Sequence, residues 1–225
     1  MPIPSSTYAI EKIRPFGTSS RYCEFLHNQV ECKAWTALLN AASIQCSPSE
    51  QRDFLSKLNE TVVHLQSALH NESFATFNRL NVAFSYLSLC RANLLQSIFS
   101  LGEIRIGNGA VEMMLNNVSN NLRATGYHEL PQCLLTQALF SFTTSRHDAA
   151  IQYLDEAWDI AERGPMRLHR ADIHLYRARL SFREKPYPWQ SPHADLAAAE
   201  KLIDDCGYHR RDEELADAKR AVLGG

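Results

Sequence analysis

Nine histidines and six cysteines are the first residues of this chain whose chemistry could define a function. A protein metal site needs three or four donors at short, regular spacing. The cysteines (Cys23, Cys32, Cys46, Cys90, Cys133, Cys206) are scattered with no CxxC pair, and no HExxH motif occurs. Cys23 and His27 are close enough to share a helix face, yet two donors do not make a site. Asp204, Asp205, Cys206 and His209 cluster at what reads as a helix end, where they solvate the terminus. The cysteines read as small core residues in a reducing compartment. Neither a GxSxG elbow nor a papain-like cysteine context is present. Gly107-Asn108-Gly109 leads into a helix, where an anion could sit, but a turn is the plainer reading. No catalytic, cofactor or metal site is expected.

Charged and aromatic side chains at helical spacing remain. Asp172, Tyr176, Arg179 and Arg183 form a polar stripe beside the apolar stripe of Ala171, Leu175, Ala178 and Phe182. Asn81, Ser85, Ser88 and Arg91 form the equivalent stripe on an earlier helix. Such stripes read either as solvated faces with local ion pairs or as a groove whose arginines hold a partner's carboxylates or chain terminus. Trp189 lies in the turn Pro186-Tyr187-Pro188-Trp189, where it either folds back as a local cap or anchors a partner. Trp158 shares the apolar register of Leu154 and Ala161 and reads as core, and Trp35 reads as packing an N-terminal helix against the next.

Helices must position these residues. From Ser49 to His70, Leu55, Leu58, Val62, Leu65 and Leu69 recur at steps of three and four, behind a Ser47-Pro48-Ser49-Glu50 entry signal. Phe77, Leu80, Phe84, Leu87, Leu94, Ile98 and Leu101 mark a long helix ending near Gly102, and Val111, Met114, Leu115, Val118 and Leu122 mark another. Ser97–Leu101, Ala138–Phe142 and Ala178–Phe182 resemble one another, with starts 41 and 40 residues apart by subtraction. Each precedes a turn, and after each turn an amphipathic helix begins, near Ala110, Ala149 and Ala194. Gly126-Tyr127-His128 and Gly207-Tyr208-His209 repeat after two of these helices, and Gly164-Pro165 closes the other. Helices this short need a neighbour to bury their apolar face, and stacked hairpins supply one. A charged terminal helix over 210–223 is expected to cap the stack, with Arg211, Asp212, Glu213, Glu214 and Lys219 facing water.

The stretch Asp148-Ala149-Ala150-Ile151-Gln152-Tyr153-Leu154-Asp155-Glu156-Ala157 resembles the second helix of a tetratricopeptide repeat. Residues 160–180 (IAERGPMRLHRADIHLYRARL) and the ending CGYHRRDEELADA are similar to the C-terminal repeat sensor regions of bacterial STAND-class signalling NTPases. The resemblance covers roughly Gly109 to Val222. No GxxxxGK[ST] phosphate loop accompanies it, so the chain would be a stand-alone relative or an excised sensor portion. It implies an all-α, right-handed α-solenoid of antiparallel helical hairpins with a C-terminal capping helix. The expected organisation is a flexible segment over 1–20, irregular helices over 21–96, and hairpins with the cap over 97–225. The last two are expected to form one continuous domain.

A formal net charge of -2 gives no electrostatic reason to expect nucleic acid or an anionic membrane surface. No apolar run is long enough to span a bilayer and the N-terminus lacks a signal-peptide core, so a cytoplasmic location is expected. The expected function is a non-catalytic scaffold or sensor module binding a protein or peptide in the concave groove. Two alternatives stay open: a regulatory homo-oligomerisation element, and a small helical enzyme with its site in the N-terminal half.

Overall fold

The computed structural model describes residues 30–36, 38–39, 47–71, 79–99, 108–125 and 127–224, and among these every regular element is helical. The expected flexible start at 1–20, the Cys23/His27 pair, Cys46, Phe77, Leu101, Gly102, Gly107 and Gly126 lie outside the described residues. Residues 30–36 form α1, and Pro48–Asn71 form α2. Ser47 and Glu50 cap α2 reciprocally: the Ser47 amide donates to Glu50 Oε2 at 2.8 Å, and the Glu50 amide donates to Ser47 Oγ at 3.2 Å. These bonds hold the Glu50 carboxyl below its ordinary pKa. The α2 face bearing Leu58, Val62 and Leu65 is buried with Val30 and Ala34 of α1.

Then follow α3 (Arg79–Phe99), α4 (Asn108–Thr125) and, after a single 3-10 turn over Tyr127–Glu129, α5 (Leu130–Thr143). Helix α5 is buried on nearly every side, as a continuously apolar helix must be. Helices α6 (His147–Arg163) and α7 (Arg167–Ser181) meet at Gly164-Pro165, where Gly164 leaves the helix in an extended conformation. Helix α8 (Pro192–Cys206) starts on a Ser191 cap, whose Oγ accepts from the Ala194 amide at 3.1 Å. It ends at Gly207, whose φ of 62° suits glycine and lets the Tyr208 amide donate back to the Ile203 carbonyl at 2.9 Å. A turn over His209–Arg211 leads into α9 (Asp212–Leu223).

From α2 onward each helix packs on the next in sequence, and α3, α5, α7 and α9 also touch in succession as one layer. The described parts of the three similar pentapeptides, Ser97–Phe99, Ala138–Phe142 and Ala178–Phe182, belong to or directly follow helices of this layer. Ala138 and Ala178 have no exposed surface, so they allow close helix approach. One core cluster runs from α3 to α7 and includes Trp35, and another joins α7, α8 and α9.

Two features depart from the sequence expectation. In a simple helical stack each unit touches its neighbours alone, yet Thr36 of α1 donates from Oγ1 to Asp217 of α9 at 2.8 Å. The first described helix thus meets the last. The capping helix also does not turn all of its charges to water: Asp212 and Glu213 are exposed and Lys219 half-buried, but Arg211 and Glu214 are only 2% and 1% exposed. Those two share the phase of Leu215 and Ala218, the side of α9 that packs inward.

Candidate functional site

The polar stripe of α7 is largely internal. Asp172, Tyr176 and Arg179 are buried, and Arg183 remains exposed just beyond the helix. Arg179 donates from Nη1 to Glu214 Oε2 at 2.5 Å, with both side chains fully enclosed. Arg211 donates from Nε to Asp172 Oδ1 at 2.8 Å and from Nη1 to the other Glu214 oxygen. Tyr208 gives its hydroxyl hydrogen to Asp172 Oδ2 at 3.1 Å. A buried ion is tolerable only when paired and hydrogen-bonded, and this network meets that condition with two arginines facing two carboxylates.

The second stripe converges on the same place. In α3, Ser85 and Ser88 are buried, and Arg91 donates from Nη2 to Glu31 Oε2 at 2.5 Å. The other Glu31 oxygen accepts from the Tyr176 hydroxyl at 3.3 Å. The two stripes are therefore bridged by one carboxylate, and that carboxylate belongs to α1. Asn81 lies in the same helix, α3.

One turn after Glu31, Trp35 is 2% exposed and meets Tyr176 edge-on, with ring centroids 4.9 Å apart. The Arg179 guanidinium lies 3.9 Å from the Trp35 ring centroid. Among the described residues Arg179 Nη2 has no hydrogen-bond partner, so the ring face takes the place of one. Arg183 completes the contact by donating from Nη2 to the Leu39 carbonyl at 2.5 Å. Helix α1 thus lies across α3, α7 and α9, held by a carboxylate, an indole, a hydroxyl and a backbone carbonyl.

Burial, reinforced by Glu31, raises the Tyr176 pKa, and burial with Asp172 raises that of Tyr208. Both stay protonated donors at neutral pH. Burial opposes the Arg211 charge, but Asp172, Glu214 and Glu31 outweigh it and keep the guanidinium's pKa well above its ordinary value.

Trp189 is folded back onto α6 and α7. Its Nε1–H donates to Asp155 Oδ1 at 2.7 Å, and Arg177 stacks between the Trp158 and Trp189 rings at 4.8 and 4.5 Å. Beside it, Tyr187 donates its hydroxyl to Asp195, which also meets His174 Nδ1 at 2.7 Å. Trp158 is half-buried against the core.

Burial pushes the thiols of Cys32, Cys90 and Cys133 up to about 12, so they are protonated and poorly nucleophilic. Among the described residues no three His, Cys, Asp or Glu side chains are grouped to hold a metal ion. No described helix is long and apolar enough to cross a membrane. What the arrangement can do is grip a helix by an acid and an aromatic.

Sequence reasoning picked out the arginines and Tyr176 but not their counterparts Glu31, Arg211 and Glu214. The signal for the latter two was their phase, since Arg211, Glu214, Leu215 and Ala218 recur on one helical face. Glu31, Trp35 and Leu38 show the same spacing.

Compared with protein-family models, curated proteins and solved structures, the chain matches none.

Proposed function

We propose that this chain is a non-catalytic, tetratricopeptide-like module that binds a protein or peptide on the layer formed by α3, α5, α7 and α9. The observation that supports it most is the way this layer holds α1: Arg91 and Tyr176 on one carboxylate, Arg179 and Tyr176 on one indole. Charged donors combined with an aromatic-lined seat are the means by which interfaces grip an anchored helix. The resemblance to STAND-class repeat sensors supports reading such a surface as a sensor.

Affinity capture from the source cells with the full chain, followed by titration of the purified candidate, tests the reading. A saturable complex weakened several-fold by Arg183→Glu, which sits at the exposed end of the seat, is the expected result. The reading is lost if no purified candidate binds while the chain turns over a small-molecule substrate.

A further inference from the structure

Helix α1 sits on the layer as a ligand sits on a receptor. Helix α1 and the residues just after it bond to residues far away in sequence: the side chains of Glu31 to Tyr176 and Thr36 to Asp217, and the backbone carbonyl of Leu39 to Arg183. These partners lie in α7, in α9 and just beyond the end of α7. With α1 lifted away, Arg91 and Arg179 each lose an α1 partner, the Glu31 carboxylate and the Trp35 ring, and Tyr176 loses both. Such a face offers donors from Arg91 and the Tyr176 hydroxyl, an Arg179 guanidinium that stays paired with Glu214 but presents its outer side to an aromatic, and a flanking donor in Arg183. It does not suit a basic or a featureless apolar helix.

We propose that α1 is a resident intramolecular ligand of the binding face, and that the face's partner is a helix carrying an acid and, four residues later, a large aromatic. The inference rests on the binding-module reading above and adds both the chemistry of the partner and a regulatory step. The acid is held by Arg91 and Tyr176, and the aromatic slides between Tyr176 and Arg179. Glu31 and Trp35, one helical turn apart, are the template. Because the native ligand is part of the chain, it competes at an effective concentration on the order of millimolar for a short tether. A partner therefore binds with its intrinsic affinity reduced by the fraction of molecules in which α1 has left.

The test uses the full chain and a fluorescein-labelled peptide of residues 27–41 carrying Cys32→Ser, with reductant present in every arm except the oxidised one. In the opened variant Glu31→Ala/Trp35→Ala, the peptide is expected to bind at least about tenfold more tightly than in the wild type, because the competing fraction is removed. A peptide carrying Glu31→Lys and Trp35→Ala is expected to bind neither chain. A second variant guards against loss of folding in the first. Thr36→Cys with Asp217→Cys, made in a Cys32→Ser background, ties α1 down by a disulfide at a site where the native oxygens are 2.8 Å apart. Oxidised, it is expected to bind no peptide; reduced, it is expected to regain wild-type binding. Equal binding to the oxidised and reduced forms overturns the proposal, and so does equal binding of the two peptides. A locked chain that still captures its cellular partner sinks the resident-ligand inference and leaves the binding module standing. Absence of any partner in both states sinks the module itself.

Discussion

Arg179 donates to Glu214 at 2.5 Å while its guanidinium plane faces Trp35 at 3.9 Å from the ring centroid. One side chain of α7 thereby fastens both the last helix and the first described one. An arginine suits this position because its flat, delocalised cation can donate in its plane and stack across it.

Glu214→Gln tests the ionic half of that junction. It keeps the shape but removes a charge from between Arg179 and Arg211, leaving two enclosed cations facing Asp172. Breaking a buried pair on one side costs about 3–5 kcal/mol. Urea denaturation is expected to show a loss of that size with an unchanged slope.

Trp189→Ala tests the folded-back turn. The change removes a bond to Asp155 and one wall of the Arg177 sandwich. A half-buried indole with a cation–π contact and one hydrogen bond supports a loss of about 2 kcal/mol in thermal or urea unfolding. Binding of a partner at the α7 face is expected to be unaffected, because Trp189 packs on the Arg177 side of α7. A large loss of affinity with little loss of stability would instead make Trp189 a contact residue.

Alkaline pH is expected to destabilise the fold. Cys32, Cys90 and Cys133 have native values near 12 against an ordinary 9.0, so the native state holds protons that the unfolded chain releases. Their contribution is fully present below the ordinary value and is lost as pH rises from there toward 12. Each thiol contributes a slope of at most about 1.4 kcal/mol per pH unit across that window. Unfolding free energies measured between neutrality and alkaline pH check the sign. Thiol labelling read by peptide mass spectrometry should leave these three cysteines protected at neutral pH while the half-buried Cys206 reacts sooner.

Ser47→Ala is expected to cost about 1 kcal/mol, because it removes the acceptor for the Glu50 amide and one donor to the Glu50 carboxylate. The same variant relieves only the hydroxyl's share of the Glu50 pKa depression, because the Ser47 amide still donates to the carboxylate, and carboxylate-resolved NMR titration can follow that partial rise.

The helices were legible in the sequence because one-sided periodicity and capping chemistry are local. Ser47 with Glu50, Ser191 and Gly207 terminate helices within a residue or two of where their types require. The starts expected near Ala110, Ala149 and Ala194 fall two residues earlier, at Asn108, His147 and Pro192, because polar first turns carry no apolar period. The stripe on α7 was also visible, as a row of residues able to hold carboxylates. Which carboxylates they hold was not, since Glu31 and Glu214 lie 145 and 38 residues from Tyr176 by subtraction, and charge alone carries no address. Charged residues on the inward phase of α9 were hidden by the general rule that such residues face water.

The hydrogen bond from Thr36 to Asp217 spans 181 residues and turns a row of helices into a closed circuit. A linear row frays from its ends, each terminal unit melting at its own low cost. Here the first described helix and the last brace each other, so neither can come loose without loosening the other. A pull on α9, or a ligand seated against it, is felt at α1 directly rather than through the helices between them.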